Sequence, residues 1–223
     1  MLMTSITALI VLGLSVYLYQ RRKKQAQRVY IERYQFAPAI AAKVKHAYPH
    51  LKDKDVELVL QGLRDYFYIC HQAGNKMVAM PSQVVDVAWH EFILFTRNYQ
   101  QFCKKALGRF LHHTPSEAMR TKVVAQDGIR RAWRLACAKS NLPAAAPTQL
   151  PLLFALDSQL EIKDGFVYAL DCKNKKSPLY GDGYCAAHIG CSSGCAGDSG
   201  STSSSSDSVG GDSSCGGGCG GGD

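Results

Sequence analysis

Asp86 and His90 stand four residues apart in VVDVAWHEFILFTRNYQQFCKKALGRFLHHTP, residues 84–115, and His112 and His113 follow just before Pro115. A carboxylate and an imidazole at i and i+4 share one side of a helix. There they can hold a divalent cation together, or the carboxylate can orient and charge the imidazole for proton transfer. A histidine released ahead of the next helix would add a third donor, and zinc is the ion that suits such a nitrogen and oxygen set. The spacing matches no established zinc signature such as His-Glu-x-x-His. Three readings therefore stay open for Asp86, His90 and His113: a metal site, a structural Asp86–His90 hydrogen bond with Arg97 as counter-charge, and an acid–base pair.

A second group lies in CAAHIGCSSGC, where Cys185, His188, Cys191 and Cys195 fall within eleven residues. Thiolate and imidazole are zinc ligands, and a Gly/Ser background permits tight turns. Structural zinc sites usually draw Cys-x-x-Cys elements from separate hairpins, so two other readings stand beside the metal one. These are a flexible thiol-bearing tail and disulfides formed only with a partner.

The elements that must position these residues follow from periodicity and capping. Ser82 caps a helix over residues 83 to about 107, ended by Gly108. At 100° per residue, Val84, Ala88, Phe92, Phe95, Tyr99 and Phe102 form its core face, with Asp86, His90 and Arg97 opposite. Val87, Ile93 and Leu94 border that polar seam, so the helix is expected to be covered on both sides. Trp89, Arg97, Tyr99 and Cys103 are read as structural or polar-seam residues. Cys103 projects far from His90, which makes a Cys–His pair on this helix geometrically poor.

Upstream, VYIERYQFAPAIAAKVKHAYP reads as a short helix interrupted near Pro38 and stopped at Pro49. In DKDVELVLQGLRDYFYICHQAG, Asp53 or Asp55 caps a helix whose apolar positions Val56, Val59, Leu60, Leu63, Phe67 and Cys70 keep helical spacing, and Gly74 ends it. Downstream, Thr114, Pro115 and Glu117 make a capping box for a helix running to about Lys139. NLPAAAPTQLP is a linker, LLFALDSQL a short helix and GFVYALDCK the best strand, with a hairpin to LEIKD across Asp164 and Gly165.

Met1 to Gln20 carry no charged side chain, and 20 helical residues cover the roughly 30 Å of a bilayer core. Tyr17 and Tyr19 then precede Arg21, Arg22, Lys23 and Lys24. The expectation is a single transmembrane helix with the rest of the chain on the cytoplasmic side. A core helix is the plainer alternative. Of nine cysteines, Cys70, Cys103, Cys137 and Cys172 are dispersed in apolar surroundings, as reduced buried thiols would be. Residues beyond Cys191 are Gly, Ser, Asp and Cys with almost nothing apolar to bury, and they should be disordered.

The expected class is mainly α. A transmembrane helix (1–20) and basic juxtamembrane segment (21–28) precede a helical core domain (29–142). A linker, short helix and β-hairpin follow (143–184), then the Cys/His cluster (185–195) and the disordered tail (196–223). The net charge is +8, and ten basic residues between Arg97 and Lys139 face only Glu117 and Asp127. Such a surface suits an anionic partner, but no aromatic platform or motif supports nucleic acid.

The segment from Pro81 to Pro115 resembles the core motif of the glycine-rich domain-containing protein family, in which one helix carries Val-Asp-x-x-Trp-His, then Tyr and Cys, then Gly and His. The matching positions are Val85, Asp86, Trp89, His90, Tyr99, Cys103, Gly108 and His113. The wider stretch from Tyr34 to Cys172 and the Gly/Cys tail resemble bacterial membrane-anchored members. The resemblance implies a family and no reaction. A nucleophile elbow and a phosphate-binding glycine loop are both lacking. The expected function is a membrane-tethered interaction or scaffold module with a protein partner. A metal-dependent, hydrolase-like enzyme using Asp86, His90 and His113 is the alternative.

Overall fold

In a computed structural model, residues 2–113, 122–170, 184, 185 and 189 are described. Among the described residues, seven helices carry the fold: α1 (Leu2–Glu32), α2 (Pro38–Ala47), α3 (Asp53–Ala73), α4 (Gln83–Leu94), α5 (Thr96–Ala106), α6 (Lys122–Lys139) and α7 (Leu152–Gln159). Two strands of two residues each are also described, β1 (Tyr168–Ala169) and β2 (Tyr184–Cys185). The mainly helical class is as expected.

The apolar spacing of α3 is wider than one stripe, because Tyr66 and Ile69 are buried together with Val59, Leu63, Phe67 and Cys70. Both sides of α3 therefore need cover. It packs against α1, α2 and α4 and also against α6 and α7. Gly62 marks the tightest approach: a Cβ there would sit 2.5 Å from Leu156 Cδ1 and 3.0 Å from Val85 Cγ2. Glycine in a helix interior costs about 1 kcal/mol relative to alanine, which the close contact of three helices offsets. Aromatic rings fill the centre, with Phe67 and Phe102 centroids 4.6 Å apart and Phe36 and Phe92 5.2 Å apart. The core continues through Leu153, Phe154 and Leu156 of α7 to Tyr168.

The caps differ in detail from expectation. Lys52, not Asp53 or Asp55, precedes α3, and Asp55 reaches back to accept from the Lys52 N–H at 2.8 Å. Gly74 and Gly108 follow α3 and α5 with φ of 61° and 70°, a left-handed conformation that glycine adopts without steric cost. Ser82 does cap α4, accepting from the Val85 N–H at 3.4 Å.

The single helix expected from residue 83 to 107 is two. Phe95, at φ −80° and ψ 59°, ends α4 and begins α5. The break changes the helical phase, so Tyr99, Phe102 and Cys103 of α5 are buried together with Trp89 and Phe92 of α4. Phe95 itself is half-buried, and Leu94 is 71% exposed.

The hairpin across Asp164 and Gly165 does not form. Tyr168 and Ala169 instead pair in parallel with Tyr184 and Cys185. Residues 160–164 wrap the end of α7, where a Cβ on Gly165 would lie 2.6 Å from Asp157 Cβ. That close approach leaves no room for a ladder partner.

The transmembrane reading is also corrected, and with it the single-pass localisation. Among the described residues, no helix is long and apolar enough to cross a membrane. α1 continues unbroken through Arg21–Lys24 to Glu32, where Ile31 is buried in the core.

Cys70, Cys103 and Cys137 are free and buried. Burial raises all three thiols, with Cys70 pushed up to about 12 and Cys137 to about 11. Several basic residues between 97 and 139 are engaged with the fold: Arg109 donates to Gly74 O, Arg131 to Met77 O, and Lys139 pairs with Asp65 at 3.0 Å. Cys172, the capping box at Thr114–Glu117 and the 196–223 tail lie outside the described residues.

Candidate metal centre

The first requirement is a fixed α4, and a buried carboxylate from the far end of the chain provides it. Asp157 of α7 is 3% exposed. Its Oδ1 accepts from Ser82 Oγ at 2.7 Å and from the Val84 N–H at 3.3 Å, and its Oδ2 accepts from the N–H groups of Gln83 at 2.7 Å and Phe166 at 2.9 Å. A negative charge at a helix N-terminus meets the positive end of the macrodipole and pairs with otherwise orphaned donors. The sequence reading passed over this residue. Its signal is a lone aspartate in the apolar run LLFALDSQL, since a buried charge must have partners.

On α4, Asp86 and His90 share a face as their spacing requires, with Asp86 Oδ2 3.5 Å from His90 Nδ1. The third residue arrives on the arm that leaves Gly108. His113 Nε2 lies 2.9 Å from Asp86 Oδ1, and the rings of His90 and His113 are 4.1 Å apart between centroids. One donor atom from each of the three falls within 4.8 Å of the others. The Asp86 and His113 side chains are only 20% and 14% exposed, whereas His90 is 51% exposed. The cluster is thus closed toward the core and open to water on the His90 side.

The other nominated residues divide. Trp89 and Tyr99 are buried against the cluster, with the Trp89 ring 4.6 Å from that of His113 and its Nε1–H donating to the Tyr99 hydroxyl at 3.1 Å. Burial raises the Tyr99 hydroxyl far above its ordinary range, so it stays protonated. Cys103 is buried beside it. Arg97 is exposed on α5, and among the described residues the ion pairs of Asp86 are with His90 and His113. The counter-charge role given to Arg97 is therefore not the one observed. His112 is exposed and its ring lies 4.8 Å from Phe110, so His113 is the third member. In the Cys/His group, Cys185 lies in β2, while His188, Cys191 and Cys195 lie outside the described residues.

One aspartate and two histidines at a half-open surface are residue types that transition metals take as ligands. The family model described as UCP032817-like matches residues 26–189, and the chain belongs to that family. No curated protein and no solved structure matched. The family match draws no link to the glycine-rich domain-containing proteins.

Proposed function

We propose that this domain binds a divalent transition metal, zinc fitting best, through Asp86, His90 and His113. The observation that carries the reading is the convergence of three donor atoms within 4.8 Å from α4 and from an arm more than twenty residues on. In tetrahedral zinc with bonds of about 2.0–2.1 Å, neighbouring ligand atoms stand roughly 3.3 Å apart. His113 Nε2 lies 2.9 Å from Asp86 Oδ1 and His90 Nδ1 lies 3.5 Å from Oδ2, so the carboxylate and rings must rotate for one oxygen to share an ion with both imidazoles. Three protein ligands with one face in water are the pattern of catalytic zinc sites, which keep a position for water or substrate. Hydrolase-like use of a metal-bound water is the finer reading.

Metal analysis and zinc titration of the full chain test the proposal. The expected result is one zinc per chain, lost in His90→Ala and in His113→Ala. Undiminished binding in both variants would place the ion elsewhere.

An interaction module is a second reading, favoured by the exposed apolar side chains from Leu9 to Tyr19 on α1. If the chain uses them on itself, light scattering will show a concentration-dependent oligomer that disappears when residues 2–20 are deleted.

A further inference from the structure

Resting on the metal reading, we propose that Trp89 and Tyr99 are the positioning residues of the centre, holding His113 with Nε2 toward Asp86 before an ion arrives. The arm from Gly108 to His113 forms neither helix nor strand, so something else must set its course. The Tyr99 hydroxyl does so by using its bonding capacity in two directions. It accepts from Trp89 Nε1 at 3.1 Å and donates to the carbonyl of Leu111, two residues before His113. The Tyr99 ring also meets Phe110 edge-on at 5.4 Å. The N–H of Leu111 faces the Cys103 thiol, so the backbone is held on both sides of this residue, at its N–H and at its carbonyl.

Trp89 acts twice. Its N–H sets the direction of the tyrosine hydroxyl, and its ring forms the wall against which His113 lies at 4.6 Å. Trp89 and Tyr99 are both buried at the junction of α4 and α5, so the relay is shielded from water, which would otherwise compete for each hydrogen bond. Neither side chain offers a donor to the ion. Their effect passes through His113, as outer partners act on metal-bound imidazoles in general.

Cobalt(II) titration of the full chain, followed by its visible d–d absorption, reads this directly. Tyr99→Phe keeps the ring contacts with Phe92 and Phe110 but removes both hydrogen bonds. The expected result is cobalt affinity about tenfold weaker or more, with altered bands and unchanged circular dichroism. Affinity within about twofold of the wild type, with the same bands, overturns the positioning role while leaving the metal reading intact. A wild type whose bands are absent, or are insensitive to His113→Ala, removes the metal reading and this inference with it. Should Tyr99→Phe fail to fold, Trp89→Phe removes the donor to the hydroxyl and shrinks the ring wall beside His113, and must shift the bands in the same sense; unchanged bands and affinity there overturn the proposal.

Discussion

His113 Nε2 and Asp86 Oδ1 meet at 2.9 Å although 27 residues separate them in the chain. A contact of that kind closes a loop and must be favourable enough to offset the ordering of the arm that delivers it. Asp86→Asn keeps an acceptor but removes the charge. It is expected to lower the stability of the metal-free protein by about 1 kcal/mol, read from urea denaturation midpoints, and to abolish zinc binding.

Zinc at 100 times its Kd should stabilise the wild type by about 2.7 kcal/mol through mass action, raising the melting temperature. His90→Ala should melt at the same temperature with and without zinc. An equal zinc-dependent rise in that variant would show that His90 is not a ligand.

Asp157→Ala leaves the Ser82 hydroxyl and the backbone donors of Gln83 and Phe166 without their common acceptor. The expected cost is about 3 kcal/mol or more, the largest of the substitutions considered. Because α4 carries both Asp86 and His90, hydrogen exchange in its first turn should accelerate along with the loss of stability. A variant as stable as the wild type would contradict the capping role.

Acidification should lower stability through His71. Its Nε2 lies 3.2 Å from Gln27 Oε1 of α1, and burial, then the positive charges of Arg28 and Lys24, hold its pKa below the ordinary value. The unfolded chain therefore takes up this proton before the folded one does. The stability due to the neutral ring is complete above about pH 6.5 and declines below it, until the lower folded-state value is passed. Denaturation midpoints measured between about pH 7.5 and pH 5 should fall in the wild type and fall less in His71→Gln.

Gly62→Ala would force a methyl group into the 2.5 Å gap beside Leu156 Cδ1. Overpacking of this kind costs about 1–3 kcal/mol, more than the gain in helix propensity returns. Thermal denaturation of the variant checks the sign.

Much of the helical framework was readable from local pattern. The i to i+4 spacing placed Asp86 and His90 on one face, Ser82 announced the start of α4, and the turn at Gly108 led to the placement of His113 near them. What local pattern could not show were effects decided at a distance. Phe95 fits the core stripe of an uninterrupted helix, so the break there appears only when α5 must turn Tyr99 and Cys103 into the same core as Trp89. The strand at Tyr168 found a parallel partner beyond the adjacent segment. The uncharged residues before Arg21 read as a membrane span, whereas no described helix meets the length and apolarity that crossing demands. Asp157 was invisible as a cap because the Ser82 hydroxyl it accepts from lies 75 residues upstream.

That last separation bears on how the chain is made. When α4 leaves the ribosome it carries Asp86 and His90 but not its own N-terminal counter-charge, which resides on a segment still to be translated. Phe166, the last donor to Asp157, comes later still. Proteins with contacts this distant in sequence complete them late in folding. The helix that carries Asp86 and His90 therefore gains its N-terminal cap only after residue 157 has emerged, so on the metal reading the donor set is ordered late in synthesis.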